Sequence, residues 1–367
     1  MPRFSDKNSR CGLKRSAAGR LIAALSLGSL LLLSCATIPL PERTAGWLDV
    51  LPPLTPDSLY ASVDVPSSWS LLQALAEAAG SETEELKRII GSLDRVHARI
   101  RLSPGAPQGD SPATVPELSL IVLGKFSPAS VACRLNRDPS WERVVLERPP
   151  GLGSRSSSHW SYRTYWRKGE LQIAAPSRGV LFVCVGVQSG GDPAAAHPEG
   201  ANPAGAEELL RRLRFPEAQP LPAQVRGALE TADIFLYIPD PAALVSSGSA
   251  SATRDPGALL KNLPIRQGWI RGERLDSPEG EEGYELEVVF LLAEVESSRS
   301  VELLLRLMLT VWLRRVQVED PVETLKAVTF RTDSESARIE SLFLTTGEIA
   351  SFIRTLLPGD LLNGGRQ

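Results

Sequence analysis

The chain has 367 residues, 43% of them hydrophobic and 23% charged, with a formal net charge of -3. That composition belongs to a folded chain and excludes disorder along its whole length. The mildly acidic balance excludes a basic nucleic-acid footprint, and three histidines with four cysteines leave few ligands for a metal, so neither metal nor cofactor is expected.

In chain order, the first segment is an address. Arg3, Lys7, Arg10, Lys14, Arg15 and Arg20 stand against Asp6 alone, and Leu21–Leu33 is an uncharged apolar run. A basic start, a short apolar core and a small-residue boundary define a secretory signal peptide. The run is shorter than the about 20 residues a spanning helix needs. The boundary Leu32-Leu33-Ser34-Cys35 resembles the lipobox of bacterial lipoproteins, and Leu33, in place of the usual small residue, resembles the relaxed form of spirochaete lipoproteins. The resemblance covers the export signal alone. It implies that residues 1–34 are removed, that Cys35 is the lipid attachment site, and that acyl chains hold the body on a bacterial membrane, inner or outer, outside the cytoplasm. Ser34-x-Ala36 also fits an ordinary signal-peptidase site that would release a soluble protein, and an uncleaved anchor is a third arrangement. Removing residues 1–34 takes the formal charge to -8, which disfavours anionic lipid and nucleic acid as electrostatic partners.

Residues 35–57 carry Pro39, Pro41, Pro52, Pro53 and Pro56 and read as an extended tether. Ser58–Val65 alternates as a strand. Ser67 or Ser68 caps a helix with Trp69, Leu71, Leu72, Leu75, Ala76 and Ala79 on its apolar face and Gly80 as its stop. Ser81 and Glu84 form a capping box for a second short helix. Strands follow at Val96–Leu102 and Glu117–Phe126, then a helix from Ser127-Pro128 to Leu135, then strands near 141–148, 160–167, 170–175 and 180–185. Gly186–Ala206 reads as a surface linker before a helix at Glu207–Leu213. Beyond it come strands at Ala232–Ile238, Trp269–Leu275 and Tyr284–Ala293, and a leucine-rich helix from Ser300 to Arg315. Strands at 326–332 and 337–344 and a helix capped by Thr345 and Glu348 complete the series. Strand, loop, strand and helix recur in the same order, and Glu117–Val122 resembles Glu285–Phe290. The expected fold is α+β, with two related halves at 58–215 and 216–360. Each is a mainly antiparallel sheet with helices packed on one face, and 361–367 is a tail.

The chain carries no phosphate-cradling glycine motif, no H-E-x-x-H, no G-x-S-x-G and no S-x-x-K. His97 and His159 read as structural and His197 as solvated. The most suggestive stretch is His159–Lys168. As a strand it points Trp160, Tyr162, Thr164 and Trp166 one way and Arg163, Tyr165 and Arg167 the other. Trp160, Tyr162, Arg163, Trp166 and Arg167 could together offer a surface for a sugar or an anion; the plain alternative is a half-buried strand. Cys133 and Cys184 lie in apolar contexts. Export permits a disulfide between them, and the plain alternative is two small buried hydrophobes. The helix Ser300–Arg315 is expected in the core, or as the wall of an apolar ligand cavity.

The function expected from these features is that of a non-catalytic envelope lipoprotein with a binding or scaffolding role. A periplasmic carrier of a lipid or apolar ligand is the first alternative, and a hydrolase whose site is assembled only in three dimensions the second. The expected partners are the membrane, through the acyl chains at Cys35, an envelope protein and an apolar ligand; nucleic acid is not among them.

Overall fold

The computed structural model describes residues 46–78, 90–101, 117–146, 164–186, 205–214, 219, 221–243, 265–276, 280–293, 298–316, 318, 320–333 and 335–356. In chain order these form β1 (Ser58–Asp64), α1 (Trp69–Ala78), β2 (Leu93–Arg101), β3 (Glu117–Gly124), α2 (Pro128–Arg137), β4 (Glu142–Val145), β5 (Thr164–Lys168), β6 (Leu171–Ser177) and β7 (Val180–Val185). Then follow α3 (Ala206–Arg214), α4 (Ala223–Thr231), β8 (Ile234–Ile238), β9 (Ile265–Asp276), β10 (Glu282–Leu292), α5 (Ser298–Val316), α6 (Pro321–Ala327), β11 (Thr329–Thr332), β12 (Ser336–Thr345) and α7 (Thr346–Leu356). The fold class is α+β with antiparallel pairing. All twelve strands join one sheet in the order β11-β12-β10-β9-β8-β1-β2-β3-β7-β6-β5-β4. The link between the two ends is the β1–β8 pair, from Tyr60 opposite Tyr237 to Val63 opposite Ile234. Outward from that pair the order runs β1-β2-β3-β7-β6 on one side and β8-β9-β10-β12-β11 on the other.

Strand alternation sorts the apolar side chains into layers on both faces, so the helices cover both faces of the joint sheet and not the single face expected of each half. One face carries Tyr60, Ile121, Phe182, Phe235, Trp269 and Val289 beneath Leu209 and Leu210 of α3 and Val225 and Leu229 of α4. The opposite, far face holds two further clusters. Val131 and Leu135 of α2 pack on Val122, Trp166, Leu181 and Val183. Leu71 of α1, the inward side of α5, and Ile349 of α7 pack on Tyr284, Ala337, Leu342 and Leu344. Because β7 lies between two helix layers, all six of its residues, Val-Leu-Phe-Val-Cys-Val, are buried.

The helix starts follow capping chemistry. Ser127 accepts a hydrogen bond from the Ser130 amide at the start of α2, with Pro128 in the first turn. Thr345 and Glu348 form the expected capping box: the Thr345 amide donates to Glu348 Oε2 at 2.8 Å and the Glu348 amide to Thr345 Oγ1 at 3.3 Å. Two helices were not expected. α4 lacks a side-chain cap and buries only Val225 and Leu229. α6 is capped by Asp320 and buries none of its side chains. The short helix expected after Ser81 lies outside the described residues apart from its last position.

The tether ends sooner than expected. Trp47, Leu48, Val50 and Leu51, inside the proline-rich stretch read as 35–57, are buried in the core beneath α3 and α4. Four apolar side chains in five residues outweigh the prolines that follow them. Residues 47–55 therefore form a strap across one face of the sheet, called the strap face below. Asp49 fastens it to Arg226 at 2.9 Å, and Gln219 Nε2 donates to the Leu51 carbonyl at 2.8 Å.

Candidate functional site

Cys35, Trp160, Tyr162 and Arg163 lie outside the described residues. Thr164, Tyr165 and Trp166 are buried, and they alternate between the two faces as the strand pattern requires. Trp166 is 5% exposed and its indole N–H donates to Asn136 Oδ1 at 2.9 Å, so this ring is a core element rather than a ligand platform. Arg167 pairs with Glu142 at 2.7 Å.

Cys133 and Cys184 are free thiols. Cys184 is buried in the strap-face core, whereas Cys133 is exposed on α2 over the far face, so the sheet lies between them. The disulfide that export would permit is therefore not formed, and Cys133 is not the buried hydrophobe its neighbours suggest. Burial pushes the Cys184 thiol up to about 12, against a hydrogen bond with Ser119 that pulls it down.

The leucine-rich helix α5 has two apolar stripes. Val301, Leu305, Leu309 and Leu313 recur every four residues and are buried in the far-face core. Leu303, Leu307 and Val311 recur at the same spacing two residues later, which rotates them by about 200° around the helix axis. They are 67%, 52% and 42% exposed, and Val322 on α6 is 55% exposed. The inward stripe packs solidly against Tyr284, Leu342 and Leu344, so this side of α5 is core. Beside the outward ridge, Glu302, Phe330, Arg331, Asp333, Arg338 and Glu340 line a groove of about 560 Å³. Its charges are matched: Glu302 pairs with Arg306, Arg331 with Glu340, and the Arg306 guanidinium stacks 4.1 Å from the Phe330 ring centre.

A second unusual feature lies under the strap. Alternation along β2 puts Arg95, His97, Arg99 and Arg101 on the strap face, opposite Asp64, Ser62, Tyr60 and Ser58 of β1. Arg95 pairs with Asp64 at 2.9 Å and donates to the Leu229 and Ala232 carbonyls at the end of α4. Arg101 pairs with Asp57 at 2.8 Å and Glu117 at 3.5 Å. Arg99, 4% exposed, donates Nη2 to Thr55 Oγ1 at 3.1 Å, and its Nε finds no partner among the described residues. His97, 3% exposed, also has no partner at Nδ1 among the described residues; burial, and then the charge of Arg95, lower its pKa to about 4. The buried Tyr60 hydroxyl donates to the Pro52 carbonyl of the strap. Above them on α3, Arg212 pairs with Glu208 at 2.7 Å, both buried. The sequence signal for this seam is the Arg-x-His-x-Arg-x-Arg alternation, which by itself reads as a solvated strand face.

Among the described residues no three or more His, Cys, Asp or Glu side chains are grouped to hold a metal ion, and no helix is long and apolar enough to cross a membrane. These features define a sheet protein with one outward apolar ridge and one covered basic seam. Its fold is similar to that of TP0453. Crystal form III of TP0453 superposes with a TM-score of 0.55 at 14% identity, covering 86% of this chain and 100% of that one. Crystal form I gives 0.51 at 15% identity, with 87% and 100% covered. At such identities the likeness concerns the fold. No protein-family model and no curated protein matches the sequence.

Proposed function

We propose that the protein is a non-catalytic envelope lipoprotein, held at Cys35 by acyl chains, that binds a protein partner through the outward ridge of α5. The observation that carries this reading is the second apolar stripe. A helix that only closed its own core would need the Val301–Leu313 stripe and could leave Leu303, Leu307 and Val311 polar. Exposed apolar side chains in a contiguous row mark interaction surfaces. The charge of -8 after signal removal favours a protein partner over an anionic lipid surface. Two or three acyl chains at Cys35 would hold the body stably on the bilayer.

The test separates anchor from partner. Metabolic fatty-acid labelling should disappear in Cys35→Ser; unchanged labelling refutes the anchor. A photo-crosslinker at Leu307 should give one discrete protein adduct in intact cells, and the same group at exposed Glu273 should give none. A labelled, anchored protein that yields no adduct at Leu307 refutes the ridge as a docking face.

A further inference from the structure

The strap-face seam does not depend on the envelope reading. Its basic side chains are not equally satisfied. Arg95 and Arg101 have carboxylates in contact, whereas Arg99 is buried with one neutral hydroxyl, Thr55 Oγ1, as its hydrogen-bond acceptor among the described residues. A guanidinium carries five donors in a planar fork, and a buried cation without an anion in contact is unfavourable. Among the described residues Nε is a buried donor without a partner, adjacent in the fork to the Nη2 that Thr55 occupies. Two residues along the same face, His97 Nδ1 is another buried polar atom without a partner among the described residues. Each group has one short neighbour across the sheet, the other neighbours being Tyr60 beside Arg99 and Ile121 beside His97. Ser62 stands opposite His97, and Ser119 opposite Arg99, and both serines are buried.

We propose that Arg99, with Tyr60 and His97, forms a covered binding site for a carboxylate-bearing ligand, and that residues 52–55 of the strap are its lid. A carboxylate matches the Nε–Nη2 edge of a guanidinium with two parallel hydrogen bonds and supplies the negative charge that Thr55 lacks. Thr55 Oγ1 and the Pro52 carbonyl are the acceptors of Arg99 and Tyr60, and both belong to the strap. Lifting residues 52–55, with Trp47–Leu51 kept in the core, therefore frees both donors at once and opens the way in. His97 adds a ring nitrogen for a hydroxyl on the ligand or a bridging water. The strap before residue 52 is fastened by the Asp49–Arg226 pair and by Gln219, so residues 52–55 can reclose over an occupied site.

The test uses the full mature protein at pH 7 in sodium acetate, sodium octanoate and sodium chloride at equal ionic strength. Acetate and octanoate share the headgroup and differ in the tail. At a hundredfold excess over Kd the thermal midpoint should rise by about 5 °C over chloride. The rise should vanish in Arg99→Gln and persist in Arg101→Gln, whose side chain is paired and partly exposed. Equal effects of the two carboxylates identify a free acid as sufficient, and an effect of octanoate alone identifies a tailed one. In the unaltered protein the Arg99 Nε–Hε resonance should move with the same carboxylate, which keeps the test valid if Arg99→Gln does not fold. Equal midpoints in all three salts overturn the proposal. So does a carboxylate effect that survives in a folded Arg99→Gln, or one that leaves the Nε resonance in place.

Discussion

A single buried ring at His97 gives the protein a predicted pH dependence. The unfolded ring titrates near 6.5, and burial beside Arg95 brings the folded one to about 4. Between those values the unfolded chain binds a proton that the folded chain refuses. Stability should therefore fall as pH drops below about 6.5 and level off below about 4, a loss of about 3 kcal/mol from this group. Urea unfolding at intervals from pH 7 to 4 checks it. His97→Gln should flatten the slope in that window, and an unchanged slope would assign the acid sensitivity elsewhere. The cysteines make a second contrast at this scale. Thiolate is the reactive form, so buried Cys184 should resist a thiol reagent until the protein unfolds, while exposed Cys133 should react in the native state. Mass spectrometry after a short alkylation pulse distinguishes the two sites.

At the scale of elements, the strap carries the sharpest expectation. Trp47 fills the core with its ring but leaves its indole N–H without a partner among the described residues. Trp47→Ala should lose about 3–5 kcal/mol of stability. Trp47→Phe keeps most of the ring and removes the orphaned donor, so it should stay within about 1 kcal/mol of the parent. Denaturant midpoints measure both, and a loss under about 1 kcal/mol in Trp47→Ala would show that the strap contributes little. Elements governed by local rules were legible from residue types and spacing. Thr345 and Glu348 announced α7, Ser127-Pro128 announced α2, and the alternation of Ser58–Val65 announced β1. What escaped depends on contacts between distant segments. Trp47–Leu51 has no periodicity of its own and is core only because α3 and α4 lie over it. The basic row on β2 looks solvated until the strap and α3 cover it. The outward stripe of α5 was visible as leucines, but only the packing of Val301, Leu305, Leu309 and Leu313 shows which face is left over.

For the whole molecule, the mirrored strand order outward from β1 and β8 coexists with cores that ignore the midpoint of the chain. The strap-face cluster joins Ile121 and Phe182 of the first half to Trp269 and Val289 of the second. On the far face, Leu71 of α1 belongs to the cluster built by α5 and α7. Separating the halves would break the β1–β8 ladder, split the strap-face core and strip α1 from its partner, so neither half has a complete apolar interior alone. Equilibrium unfolding should accordingly be one transition, although chains of this length commonly populate intermediates. Site-specific probes make the test direct. Trp166 reports the far-face core under α2, and Trp312 lies on α5 at the other end of the sheet. Chains retaining only one of these two tryptophans, the other tryptophans being replaced by phenylalanine, should give coincident urea midpoints. Midpoints that differ well beyond error would mean that the sheet parts at β1–β8 and that the shared core is weaker than its burial implies.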